Sequence, residues 1–251
     1  MKTLGLTSPG QLAVMAAMAG KPVLADCKLV VEVWYPAVGD GSLRSGYMTL
    51  GHDGRTEVRL SGRAARDAAS VVGDFPLVIL SHGSPGNCTL LSHFGENLAF
   101  KGYVVASIDH FESTCDDPVY LGGQAFGSTL LNRPLDTRFL MDALAATRVA
   151  IVGYAMGGYG ARVAGGAFVA EAALAMEGGG PWLAQHRTAV ADPRLKAIVP
   201  IGPWGRQIGV WEAAGMAVPA LIIAGSLDDI PGYETGYGRS LTRRWGWTGF
   251  C

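Results

Sequence analysis

Charge is scarce in this chain. Only 16% of its 251 residues are Asp, Glu, Lys or Arg, and they nearly cancel, to a formal net charge of -1. Such a balance offers no basic face for nucleic acid. Cysteine is scarce too. Cys27, Cys88, Cys115 and Cys251 form no CxxC pair and no metal-ligand spacing. That favours free thiols over a zinc site or a disulfide framework. No apolar run is long enough to span a bilayer. The stretch from Leu12 to Ala19, behind the single charge of Lys2, has features of a signal peptide. Ser8-Pro9-Gly10 interrupts the approach to it, so a cytoplasmic location is favoured, with a secreted or periplasmic one as the alternative. Histidine is confined to positions 52, 82, 93, 110 and 186.

What the chain has in quantity is apolar residues, 49% of the total, ample for one large core. Its length fits a single domain over 1–251. Short apolar runs predict strands at 29–34, 76–81, 103–108, 148–153, 195–201 and 218–224. Helical spacing is read at Leu90 to Lys101, Pro134 to Ala146 and Met156 to Phe168, with a helical excursion over 171–194. Residues 39 to 73 read as a polar surface excursion holding one short strand, Thr56 to Leu60. Strands alternating with helices predict an α/β fold with a mostly parallel central sheet and helices on both faces. Ligands of such sheets bind beyond the carboxyl ends of the strands. His82-Gly83-Ser84, Asp109-His110, Ala155, Trp204 and Asp228 all fall at such ends and converge on one crevice.

The stretch that organises the chain is Val149-Ala-Ile-Val-Gly153-Tyr-Ala155-Met-Gly157-Gly158. An apolar strand runs straight into a small-residue turn and then into helix formers. With Val33-Trp-Tyr-Pro-Ala37, Leu80-Ser-His-Gly-Ser84, Gly202-Pro-Trp-Gly205 and Gly225-Ser-Leu-Asp228, it resembles the α/β-hydrolase superfamily. The narrower resemblance is to dienelactone-hydrolase-like and platelet-activating-factor-acetylhydrolase-like esterases, over about residues 28 to 236. The superfamily writes the turn as G-x-S-x-G, where the serine is the nucleophile. Here Ala155 stands in its place, and a methyl group attacks nothing.

The resemblance implies a role for each further position. The N–H groups of Ser84 and Met156 would form the oxyanion hole, the latter at a helix start where the dipole helps. Asp228 would be the triad acid, with Asp229 as alternative; the plain reading is that both cap a turn. His82, Gly83, His110, Tyr154 and Trp204 would line the pocket. No metal or cofactor is implied, and the partner is a small ester substrate or ligand. The oligomeric state is open.

The triad histidine should follow the acid in chain order, and no histidine follows Asp228. His82 and His110 read as structural, and His52, His93 and His186 as solvated. The tail from Gly236 to Cys251 has no periodicity, and a neighbouring frame back-translates to an amphipathic helix and a strand start. It is read as out of frame, so that the last strand, the histidine loop and the last helix are expected to be missing. The step from Ala146 to Thr147 is also shorter than the family's usual connection, which points to an internal deletion. Two functional readings follow. One is a carboxylic ester hydrolase lineage that is catalytically impaired as written. The other is a non-catalytic, small-molecule-binding pseudo-hydrolase.

Overall fold

The computed structural model describes residues 1–12, 24–39, 45–51, 53–118, 126–167, 192–204 and 216–230. The strands are β1 (Lys2–Leu12), β2 (Leu24–Trp34), β3 (Gly46–Leu50), β4 (Glu57–Ser61), β5 (Leu77–Ser81), β6 (Val104–Ile108), β7 (Val149–Tyr154) and β8 (Leu195–Ile201). The helices are α1 (Ser92–Phe100), α2 (Phe126–Ala143) and α3 (Met156–Ala164). Six strands form one sheet in the order β1-β2-β6-β5-β7-β8, and β3 and β4 form a separate hairpin. β6, β5, β7 and β8 run parallel, whereas β2 is antiparallel to both of its neighbours.

β7 lies inside the sheet, as its unbroken apolar run predicts. The run at 218–224 adds alongside β8 through parallel bridges at Ala220 and Ile223, with Leu221 N–H bonded to Ile198 O at 3.0 Å. Alternate residues of the strands serve opposite faces. Leu77, Ile79, Val149 and Ile151 pack with Leu140 and Met141 of α2 and Ala161 and Ala164 of α3. Val78, Leu80, Val105 and Val152 pack with Trp34, Tyr47 and Ala99 of α1. Helices therefore cover both faces.

Several sequence expectations need correction. β1 was not foreseen: Ser8-Pro9-Gly10 reads as a break, yet the pairing with β2 absorbs it as an irregularity between Ser8 and Gln11. Of the apolar stretch Leu12–Ala19, only Leu12 lies within the described residues. β3 was missed because its partner sits across a polar turn, while the strand expected at Thr56–Leu60 is present as β4. The excursion at 171–194 falls almost wholly outside the described residues, and the tail at 236–251 entirely so.

α2 begins before Pro134, which sits in its interior. Proline has no N–H, so the carbonyl four residues back, Leu130 O, has no helical donor. Tyr159 of α3 fills that gap, its hydroxyl donating to Leu130 O at 3.0 Å. The helix then ends in a tight reversal. Ala145 takes φ 48°, with Ala145 N–H on Asp142 O and Ala146 N–H on Met141 O. This left-handed stop, usually glycine, delivers the chain into β7 within a few residues.

Tyr159→Phe is expected to cost about 1–3 kcal/mol in urea unfolding, since a buried carbonyl loses its donor. In a Pro134→Ala background the cost should shrink, because residue 134 then supplies the N–H. Equal costs in both backgrounds would show that the hydroxyl does not fill the proline gap.

Candidate active site

Ala155 joins β7 to α3 in a backbone conformation that alanine disfavours, φ 49° and ψ -112°. A non-glycine residue there carries of order 1–3 kcal/mol of strain and persists only where its surroundings over-determine it. They do so here. Ala155 N–H donates to Ile201 O at 2.9 Å, and its carbonyl accepts from Tyr159 N–H at 3.1 Å and Trp204 N–H at 3.0 Å. The flanking glycines are required by close approach. A Cβ on Gly153 would overlap the carbonyl of Gly157, and one on Gly157 would overlap the carbonyl of Ser81.

The turn therefore packs directly on the loop that leaves β5. Ser81 pairs with Gly153 in the sheet register. A Cβ built on Gly83 would lie 3.5 Å from the Ala155 methyl. The carboxyl ends of β5 and β7 thus bring Gly83 beside Ala155, with Met156 opening α3 next to them. The first N–H groups of a helix have no partner within it. Tyr154 is 45% exposed, and Trp204 is half-buried.

His82 and His110 are buried, and every ring nitrogen is engaged. His82 Nδ1 donates to Gly83 O at 2.6 Å, and its Nε2 accepts from His110 N–H at 3.3 Å. His110 Nε2 lies 2.7 Å from Ser81 Oγ and its Nδ1 2.8 Å from Asp136 Oδ2. Burial, helped by the nearby Arg133 cation, holds both histidines well below the ordinary imidazole range, so both are neutral. Neutral His110 then donates from Nδ1 to Asp136 and accepts the Ser81 hydroxyl at Nε2. What these two histidines bring to the crevice is the placement of backbone, not a free ring nitrogen.

Ser81, His110 and Asp136 reproduce the hydrogen-bond chain of a catalytic triad, but inside the core, where no substrate reaches them. Beside them lies Arg133, also buried. Its Nη1 bonds the carbonyl of His82 and its Nη2 that of Gly83 at 2.9 Å. Gln11 Nε2, from β1, bonds the other oxygen of Asp136. Burial pushes Asp136 up to about 7. Sequence reading assigned no role to Ser81, Arg133, Asp136 or Gln11. The available signal was the charged pair three residues apart on α2, set among Leu130, Leu131, Leu140 and Met141.

Asp228 follows the 218–224 segment, half-buried, its Oδ2 3.6 Å from a Cβ built on Gly202. It therefore sits at the same end of the sheet as Ala155. Among the described histidines none bonds it: His82 and His110 are engaged as above, and the His93 ring lies tilted against Phe94. His52 and His186 lie outside the described residues. Cys27, Cys88 and Cys115 are free thiols. Among the described residues there is no cluster of three or more His, Cys, Asp or Glu able to hold a metal. No helix among them is long and apolar enough to cross a membrane.

Two cavities lie away from this geometry. One, about 610 Å³, sits at the opposite ends of the strands beneath the Leu144–Arg148 connection. The other, about 490 Å³, lies between the β3–β4 hairpin, Cys88, Asp109 and Cys115. Neither is lined by Ala155, Ser84 or Met156.

A structure of a ferulic acid esterase from Streptomyces cinnamoneus superposes with a TM-score of 0.64, covering 98% of this chain and 70% of that one at 20% identity. The fold is that of an α/β hydrolase. Sequence relationships run in the same direction. The family model described as platelet-activating factor acetylhydrolase, isoform II, matches residues 54–116. Cutinase 1 of Thermobifida cellulosilytica is 30% identical over 155 residues, 61% of this chain and 48% of the relative. Cutinase est1 of Thermobifida alba is 31% identical over 160 residues, 61% of this chain and 42% of the relative. The chain spans about half or less of the length of these curated relatives. Its resemblances are to ester hydrolases.

Asp109, at the end of β6, accepts the Cys88 N–H, and burial pushes its carboxyl up to about 6. A carboxyl raised in the folded state holds its proton more tightly there than in the unfolded chain. Its contribution to stability is therefore full below about pH 4 and lost as pH rises through about 6. The stability of the wild type relative to Asp109→Asn should fall by on the order of 3 kcal/mol between pH 4 and 7 and then level off. A difference that is constant over that range would contradict the assignment.

Proposed function

We propose that this chain is a carboxylic ester hydrolase in lineage whose site still receives an ester carbonyl but no longer cleaves it. The observation that carries this reading is Ala155 itself, held at φ 49° with the flanking glycines in contact with the Ser81 loop. Alanine gains nothing from that strain; the geometry serves a nucleophile. In the full reaction a hydroxyl at position 155 attacks the carbonyl carbon, a base takes its proton, and the oxyanion forms against two backbone donors. Ser84 N–H and Met156 N–H are assigned as those donors. Asp228 is assigned as the acid that would orient the base, with Gly83, Tyr154 and Trp204 around the carbonyl and the backbone of His82 and His110 supporting them.

This reading takes two parts of that machinery as lost. Position 155 has no hydroxyl, and no histidine follows Asp228. His110 does not substitute, because both of its nitrogens are engaged inside the core. The same geometry supports the second reading, in which the site binds an ester-like small molecule without turnover. A single domain over 1–251 and a reading frame altered over 236–251 belong to this proposal.

Ala155→Ser alone is expected to leave p-nitrophenyl acetate hydrolysis far below an esterase's rate, since a serine alcohol without a base is a poor nucleophile. Donors and binding alone give a residual of about 10³–10⁴ over water, so faint turnover fits. Efficient hydrolysis should need both Ala155→Ser and a tail carrying a histidine, with a gain far above the sum of the single repairs. Turnover by Ala155→Ser at an esterase's rate would contradict the missing base.

A further inference from the structure

The loop carrying Ser84 has no regular structure to hold its peptide planes, yet an oxyanion donor works only if its N–H already points at the oxyanion. Something must fix that direction. The peptide joining Gly83 to Ser84 is trans, so its C=O and N–H point opposite ways. Whatever holds Gly83 O from one side aims Ser84 N–H to the other.

Arg133 holds it. Its guanidinium donates from Nη2 to Gly83 O at 2.9 Å and from Nη1 to the carbonyl of His82, the residue before. His82 Nδ1 donates to the same Gly83 O at 2.6 Å. Nη2 also reaches Ser113 Oγ at 2.7 Å, and Ser113 Oγ lies 3.2 Å from Ser84 Oγ. A planar fork of this kind grips neighbouring carbonyls in a way that a lysine does not. Its place is itself fixed, because Arg133 rides on α2 and a Cβ built on Gly160 of α3 would come within 3.2 Å of its Cβ. Asp136, one turn along α2, supplies the opposing charge that an interior cation requires.

We propose that Arg133 is the positioning residue of the oxyanion site: by clamping the His82 and Gly83 carbonyls from inside the core, it aims Ser84 N–H at the space above Ala155. This rests on the assignment of Ser84 and Met156 as the oxyanion donors. Met156 N–H is aimed independently, by the start of α3, and that difference makes the inference testable without turnover.

The test uses the full chain, labelled with ¹⁵N and titrated with dimethyl phosphate, a tetrahedral monoanion shaped like the acyl-transfer intermediate. In the wild type the Ser84 and Met156 amide signals are expected to shift together along one saturation curve. Arg133→Met keeps length without donors. It is expected to weaken binding roughly tenfold to a hundredfold, as for a lost hydrogen bond to a charged group, and to abolish the Ser84 shift while the Met156 shift persists. Arg133→Lys should recover part of both the affinity and the Ser84 shift. If Arg133→Met is not soluble, Arg133→Lys decides against wild type, with binding expected to be roughly three- to tenfold weaker and the Ser84 shift reduced.

Wild-type affinity and an unaltered Ser84 shift in either variant overturn the proposal. So does a folded Arg133→Met protein in which both amides stop responding, because that is a general loss of the site. If neither amide responds in the wild type, the oxyanion assignment itself falls, and the role of Arg133 falls with it.

Discussion

The backbone of Gly157 lies so close to the carbonyls of Ser81 and His82 that no side chain fits between them. That contact is made by the first turn of α3 against the loop leaving β5. It brings the turn at Ala155 and the segment His82–Ser84 together as one packed unit. The sheet supports it from below, where Ser81 and Gly153 are partners in register. Arg133 meets the same loop, holding the carbonyls of His82 and Gly83. The loop is held both by the close approach of the Gly157 backbone and by the Arg133 guanidinium.

The strained turn is held by its backbone. Ala155 is tied through its N–H to β8 and through its carbonyl to α3 and the Trp204 segment. None of these ties passes through its side chain, so the backbone at 155 does not depend on which small side chain stands there. The buried charges follow similar logic. Arg133 and Asp136 are costly to bury and are retained with neutral His110 and Ser81 between them as a hydrogen-bonded network. Removing one member would leave its immediate neighbours each short of one partner in the interior.

Much of the fold was legible in the sequence. Val149–Val152 reads as a central strand because a strand buried on both faces must be apolar throughout. Glycines at 153 and 157 read as a tight turn because close approach forbids a Cβ. β1 was hidden by Ser8-Pro9-Gly10, which an antiparallel edge accommodates as an irregularity. The start of α2 was hidden by Pro134, which reads as a first-turn residue until Tyr159 is seen to supply the missing donor. Arg133 and Asp136 were illegible as site residues because their role depends on which loop α2 packs against. That is a matter of tertiary contact; the local pattern shows only a charged pair three residues apart on an otherwise apolar helix.

The most direct measurement is a crystal structure of the full chain soaked with dimethyl phosphate. The account predicts Ala155 at positive φ and one phosphate oxygen within about 3 Å of both Ser84 N and Met156 N, above the Ala155 methyl. It also predicts the Arg133 fork on the carbonyls of His82 and Gly83. Ala155 relaxed to negative φ, or the two N–H groups directed into separate cavities, would contradict it.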